Sequence, residues 1–173
     1  MKHTISLLVE NKPGVLSRVA SLFSGRGFNI ESLSVAETTD PNISRMTILT
    51  RGDDQILEQI TKQLNKLINI IKVIDFKSNE YVGRELALIK VTVTEENRSE
   101  VLSIIDIFRG KVVDVSSESY TIEITGDENK MLAIIDLFTP MGIKDIARTG
   151  SAALIRGSKT KATKVKKQPD KKR

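Results

Sequence analysis

Few side chains of this chain could take part in covalent or redox chemistry. The sequence contains no cysteine and a single histidine, His3. Without cysteine there is no thiolate nucleophile, no disulfide and no cysteine-ligated metal or iron–sulfur site. His3 has no neighbour at a metal-ligand spacing, and no phosphate-binding loop of the GxxxxGK[ST] type occurs. We therefore predict that the chain has no catalytic residues, no metal and no cofactor of its own.

The segment Asn11–Leu16, with the sequence NKPGVL, is the best candidate for a binding site. It lies where an alternating pattern ends and a helical pattern begins. The first turn of a helix has free N–H groups and a partial positive charge, so it can bind an anion. Pro13 suits a helix start because it has no N–H, and Gly14 lets a ligand approach the backbone. The N–H groups of Gly14, Val15 and Leu16 could therefore bind a carboxylate.

An amino acid would suit such a site, because it needs an anion site, oxygen acceptors for its ammonium group and an apolar wall. The side-chain oxygens of Asn11 and Asn29 could accept hydrogen bonds from the ammonium group. Four aliphatic residues could form the wall: Val15, Leu16, Ile30 and Val35. A simpler interpretation also exists, because Asn is a common helix cap and Pro-Gly a common turn. The spacing alone does not distinguish a ligand site from a turn.

These residues must be positioned by two halves that share one order of elements, with a repeat of about 80 residues. In the first half, the pattern predicts strand 3–9, helix 15–23, strand 28–37, strand 43–50, a helix capped by Asp53 or Asp54, and strand 70–76. In the second half it predicts strand 85–94, helix 97–109, strands 111–116 and 119–125, a helix from Asp127, and strand 143–148. The connection 78–83 separates two predicted domains, residues 1–77 and 84–157.

The order β-α-β-β-α-β predicts an α+β fold with two ferredoxin-like domains. Each is expected to be a four-stranded antiparallel sheet with two helices on one face. The other face then needs water or a partner. Many strand positions on that face are predicted to be aliphatic. Edge strands could also join across subunits. Both features predict a homo-oligomer, most simply a symmetric dimer.

Longer segments extend the NKPGVL motif beyond a common turn. The first is the run 11–30, continued by ESLSVA at 31–36. The second half contains KVVD at 111–114, YTIEITG at 120–126, RTG at 148–150 and ALIRG at 153–157. Together these segments resemble the small subunits of acetolactate synthase, in which the first half is an ACT domain. The resemblance extends from about residue 2 to residue 157.

The resemblance implies a non-catalytic regulatory subunit in valine, leucine and isoleucine biosynthesis. It implies that valine, or a related amino acid, binds between two ACT domains of a homodimer and inhibits a separate large catalytic subunit, which the small subunit also activates. That subunit, a transferase, is expected to carry thiamine diphosphate, Mg²⁺ and FAD. By resemblance, the effector contacts fall first on Asn11, Gly14 and Asn29. The complete set of predicted effector-binding residues is Asn11, Pro13, Gly14, Val15, Leu16, Asn29 and Ile30.

The second half departs from this pattern at the position of the motif. Where the first half has NKPG at 11–14, the second has TEEN at 94–97. Glu95 and Glu96 would repel a carboxylate, and no Pro-Gly pair lets a ligand approach the backbone. We therefore expect the second half, an ACT-related domain, to be structural or to contact a partner.

The positive charge of the chain is concentrated in its last residues. The formal net charge is +5, but residues 157–173 contain eight Lys or Arg and one Asp, a local +7, which leaves about −2 for residues 1–156. Such a Lys-rich tail, 158–173, is expected to be disordered. It could contact an acidic face of the catalytic subunit or bind polyanions loosely. A ferredoxin-like nucleic-acid-binding protein acting through this tail is thus the alternative function, although the acidic body argues against it.

Targeting signals do not stand out in the sequence. No apolar stretch reaches the roughly 18 residues that suggest a membrane span. The N-terminus lacks the apolar core and cleavage site of a secretory signal. We therefore expect a soluble cytoplasmic protein without a membrane partner, or a protein of the plastid stroma if an organelle encodes it.

Overall fold

The structure is a computed structural model, and it describes residues 1–76 and 81–157. The predicted disorder of the tail, 158–173, concerns residues outside this description. Residues 78–80, the first half of the predicted connection between the domains, also lie outside it.

The first domain has the order of elements that the sequence predicts. It contains β1 (Lys2–Glu10), α1 (Val15–Ser24), β2 (Ile30–Glu37), β3 (Ile43–Arg51), α2 (Asp54–Leu64) and β4 (Ile70–Phe76). The strands form an antiparallel sheet in the order β2-β3-β1-β4. Of the two predicted caps, Asp53 is the one used, because its side chain accepts a hydrogen bond from the Ile56 N–H at 2.8 Å.

The second domain repeats this order and adds one strand. It contains β5 (Tyr81–Thr92), α3 (Arg98–Ile107), β6 (Lys111–Val115), β7 (Ser119–Gly126), α4 (Glu128–Phe138), a 3₁₀ turn (Thr139–Met141), β8 (Ile143–Arg148) and β9 (Ala152–Ile155). The main sheet order is β6-β7-β5-β8. β5 begins four residues before the predicted start at 85, because residues 81–84 pair with β9. The sequence pattern does not reveal β9, since its four residues do not alternate.

Each domain has its own core between its sheet and its two helices. In the first domain, Ile5, Leu7 and Val9 of β1 are buried among side chains of α1 and α2. The corresponding residues of β5 in the second core are Ala87, Ile89 and Val91. This arrangement confirms the predicted α+β fold of two ferredoxin-like domains.

The face of the first sheet that points away from the helices combines buried hydroxyl groups with aliphatic side chains. At its centre, the register aligns Ser6 with Thr47, and both are almost completely buried. Arg45 donates a hydrogen bond to Ser6 Oγ at 3.0 Å, and burial lowers the pKa of this arginine. The same registers also place Leu8, Leu49 and Ile74 on this face, so aliphatic side chains lie beside the buried hydroxyl groups.

Candidate functional site

The loop between β1 and α1 has an open backbone at one end of the first sheet. Gly14 caps α1 with a φ of +81°, a left-handed conformation that favours glycine. A Cβ built on Gly14 would have no heavy atom of the described chain within 4 Å. Pro13 lies before this cap and therefore outside α1. A ligand can thus reach the loop directly above Gly14.

The start of α1 presents N–H groups without acceptors. Within the described residues, the backbone N–H groups of Gly14, Leu16 and Ser17 donate no hydrogen bond. The Val15 N–H, in contrast, donates to the Lys12 carbonyl at 3.3 Å. The first turn contains no acidic residue that would neutralise the helix dipole. The three remaining N–H groups and the positive end of the helix dipole are the features that an anion site requires.

Asn11 is held in place by its amide nitrogen. Nδ2 donates to Glu37 Oε1 and to the Pro41 carbonyl, both at 2.9 Å. Asn11 Oδ1 accepts no hydrogen bond within the described residues, so it remains available to an ammonium group. The Glu37 carboxylate adds a negative charge beside it. Sequence reasoning missed Glu37 because it is 26 positions away and reaches Asn11 only through the sheet.

A polar network anchors this loop to the elements behind it. Asn69 donates to Glu10 Oε2 and accepts from Arg18, both at 2.6 Å. The hydrogen bond from Asn69, with one from Lys12, holds the pKa of Glu10 below its ordinary value. The network joins the end of β1, helix α1 and the residue before β4. It therefore fixes the backbone on both sides of the open loop.

Asn29 lies at the opposite end of the same sheet. Its side chain is exposed and makes no hydrogen bond within the described residues. The register through β3 aligns the first residue of β2 with His3 and the last with Val9. These two levels are about 20 Å apart at roughly 3.3 Å per residue. A single chain therefore does not bring Asn29 to the loop 11–14.

The residues of the predicted apolar wall are also separated by the fold. Leu16 and Val35 are 44% and 40% exposed, so both can contact a ligand. Val15 is only 4% exposed and belongs to the core. Ile30 is half-buried against the core, at the same end of the sheet as Asn29.

The corresponding turn of the second domain satisfies its own polar groups. Asn97 Oδ1 accepts a hydrogen bond from the Thr94 N–H at 2.8 Å. Asn97 Nδ2 donates to the Thr92 carbonyl, and the Asn97 N–H donates to Thr94 Oγ1, both at 3.3 Å. This asparagine therefore has no oxygen left open in the way that Asn11 has.

The single histidine has a local structural role. His3 Nε2 lies 3.1 Å from the Gly52 carbonyl, to which the N-terminal ammonium also donates at 2.9 Å. Within residues 1–76 and 81–157, no group of three or more His, Asp or Glu side chains could hold a metal ion. Over the same ranges, no helix is both long enough and apolar enough to cross a membrane.

Comparison with known proteins identifies the family of both halves. A family model described as an AHAS small subunit-like ACT domain matches residues 5–72, and one described as the small subunit of acetolactate synthase matches residues 84–157. The chain is 56% identical over 159 residues to a probable acetolactate synthase small subunit of Archaeoglobus fulgidus, over 92% of this chain and 99% of the relative. It is 56% identical over 156 residues to the acetolactate synthase small subunit of Aquifex aeolicus, over 90% and 81% of the two chains.

A solved structure agrees with these matches. The crystal structure of the acetolactate synthase small subunit from Thermotoga maritima superposes with a TM-score of 0.83 at 45% identity. The superposition covers 91% of this chain and 99% of that one. The resemblance recognised in the sequence is thereby confirmed, and the chain belongs to the family of acetolactate synthase small subunits.

Proposed function

We propose that this chain activates a separate catalytic subunit and makes it sensitive to feedback inhibition by valine or a related branched-chain amino acid. Membership in the family gives the chain a regulatory role in branched-chain amino-acid biosynthesis. Its partner is a large acetolactate synthase subunit in the cytoplasm that carries thiamine diphosphate, Mg²⁺ and FAD. Residues 1–77 bind the effector, and residues 84–157 form the ACT-related domain that supports them.

The open start of α1 is the observation that carries this proposal. The carboxylate of the amino acid accepts hydrogen bonds from the free N–H groups above Gly14. Its ammonium group faces Asn11 Oδ1 and the carboxylate of Glu37. Its aliphatic side chain lies against the exposed parts of Leu16 and Val35. This arrangement matches a zwitterion with a branched side chain.

The position of Asn29 supports a site shared by two chains. β2 is an edge strand of the first sheet, and its outer edge is unpaired within the described chain. Two β2 strands related by a twofold axis pair in opposite directions, so the end of one lies beside the start of the other. Asn11 is bound to the end of β2 through Glu37. Its neighbour across such an interface is therefore the second chain's copy of Asn29.

Valine is expected to bind the wild-type chain and to raise its Tm. A ligand that binds only the folded state stabilises it, in proportion to the logarithm of its concentration above Kd. With the catalytic subunit present, valine should lower activity through a coupling of about 1–3 kcal/mol, or roughly 5–150-fold. Calorimetry and a melting curve at millimolar valine measure the first effect. Neither heat nor a shift in Tm, for valine, leucine and isoleucine alike, would contradict the proposal.

Two variants that do not bind valine are expected to recover binding when they are mixed. Asn11→Ala and Asn29→Ala each damage every site of a homodimer. A heterodimer of the two contains one intact site and one site that lacks both side chains. Refolding an equal mixture gives heterodimers in about half of the molecules, so calorimetry should recover about a quarter of the wild-type sites.

The control for this mixture is each variant refolded alone, which should recover no sites. Both variants must also retain the melting behaviour of a folded protein, since both side chains are exposed. A folded mixture that shows no recovery, while the wild type binds valine, would rule out a site shared between two chains.

A further inference from the structure

The second domain contacts β2 at the end where Asn29 lies. The loop after β8 places Gly150, with a φ of +75°, directly against this strand. A Cβ built on Gly150 would collide with Ser32 Oγ and would lie 3.5 Å from the Leu33 carbonyl oxygen. The backbone of the second domain therefore packs closely against β2, and a side chain at position 150 would have to displace the Ser32 hydroxyl.

A chain of ion pairs reaches the second domain from the same part of β2. Glu31 pairs with Arg51 on β3 and lies 3.9 Å from Lys2 Nζ on β1. Lys2 also pairs with Glu128, in the first turn of α4. The ammonium group of Lys2 thus links a carboxylate beside Ile30 to a carboxylate of the second domain.

Tyr81, the first residue of β5, supplies a third contact. Its hydroxyl lies 3.2 Å from Thr4 Oγ1, and its ring stacks on Phe76 with the centroids 4.9 Å apart. The register places Thr4 at the level of Ser32 in the first sheet. A cleft of about 710 Å³ between the domains is lined by these contact residues. Gly150 and the ion pairs of Lys2 thus reach the start of β2, whereas Tyr81 contacts β1 and β4 at the same end of the sheet, far from the loop 11–14.

We propose that the second domain is a positioning element of the effector site. Through Gly150, and through Glu128 by way of Lys2, it holds the start of β2, and with it Asn29, in the place where the neighbouring chain's effector meets it. This inference rests on the proposed function, because it assigns a role in effector binding to residues that do not touch the effector. Coupling of this kind is reciprocal, so the bound effector also strengthens the packing of the two domains.

Gly150→Ala tests the inference by adding one methyl group at the contact with β2. Overpacking of this kind and the positive φ should displace the loop from the strand. We expect valine affinity to fall by about tenfold or more. Hydrogen exchange at the amides of residues 31–35 should become faster, and this measurement requires no effector.

Two further variants separate the contact from general strain. Gly157→Ala adds the same methyl group at a φ of +71°, where its Cβ would have no heavy atom of the described chain within 4 Å. It should leave both valine affinity and β2 exchange unchanged. Ser32→Ala, added to Gly150→Ala, removes the oxygen that the new Cβ would meet, and it should restore most of the affinity.

Glu128→Gln is a milder variant that keeps the size of the side chain and removes the charge that Lys2 contacts. As in Gly150→Ala, amide exchange in β2 should become faster. Valine affinity should fall by only about twofold, because the ion pair is partly exposed. Glu58→Gln, which breaks the exposed pair with Lys62 on α2, is the matched control.

The possible outcomes are distinct. Unchanged β2 exchange in Gly150→Ala overturns the inference and leaves the proposed function intact. Faster amide exchange in β2 with unchanged valine affinity also overturns the inference. The packing of the second domain on β2 would then have no effect on the effector site. A wild-type chain that binds no branched-chain amino acid overturns the proposed function, and with it the effector part of the inference.

Discussion

Gly14→Asp is expected to reduce valine affinity by about 100-fold or more without unfolding the chain. The space above Gly14 is open, and aspartate tolerates the left-handed conformation better than most residues. The aspartate carboxylate would accept hydrogen bonds from the free N–H groups at the start of α1, as the side chains of capping residues do. The valine carboxylate would then lose its donors and meet a like charge. Calorimetry measures the affinity, and a melting curve verifies the fold.

Two controls separate occupation of the anion site from strain at a left-handed residue. Gly157→Asp introduces the same side chain at a φ of +71°, in the second domain, and should retain wild-type affinity. Gly14→Ala imposes the conformational cost but no carboxylate, so its loss of affinity should be clearly smaller. Wild-type affinity in Gly14→Asp would show that the effector carboxylate binds elsewhere.

Phe23→Ala is expected to lower the free energy of unfolding of the first domain by about 3–5 kcal/mol. The side chain is completely buried between α1 and the first sheet, so its removal leaves a cavity and loses apolar burial. Urea unfolding followed by hydrogen exchange measures the loss for each domain separately. Protection should fall at the amides of β1 and β3 far more than at those of β5 and β7.

The equivalent change in the other core provides the matched control. Phe138→Ala, from a side chain that is also completely buried, should destabilise the second domain by a similar amount. Leu16→Ala, at 44% exposure, should have little effect on stability. Equal losses in both domains from Phe23→Ala alone would show that the two cores unfold as one unit.

The fold could be predicted because its signals are local and repeated. The alternation in β1 extends over several residue pairs, and the apolar stripe of α1 extends over several helical turns. A single exception therefore does not hide either pattern. The caps Asp53 and Asp127 mark two helix starts by a simple rule, and both make the expected hydrogen bond. The second copy of the pattern then supports the first.

The geometry of the site was less accessible, because it depends on which strand lies beside which. Glu37 reaches Asn11 only after β2 has paired with β3. The separation of Asn29 from Asn11 follows from the directions of the strands. Both β1 and β2 run antiparallel to β3, so they run the same way, and the start of β2 lies at the start of β1. The relative directions of β1 and β2 can be read from the predicted order of elements. The residue types and the spacing of the motif do not contain this information.

The pairing of β5 with β9 has a consequence for the order in which the protein is built. The first sheet is complete at Phe76, but the first residues of β5 receive their partner only when Ile155 has been made. At about 5–20 residues per second, roughly 4–16 s of translation separate these two points. During that interval the first domain can fold on the ribosome and present β2 as a bare edge to another nascent chain. Assembly of two first domains can therefore precede the arrival of Gly150, and the proposed dimer would then form before it can respond to the proposed effector.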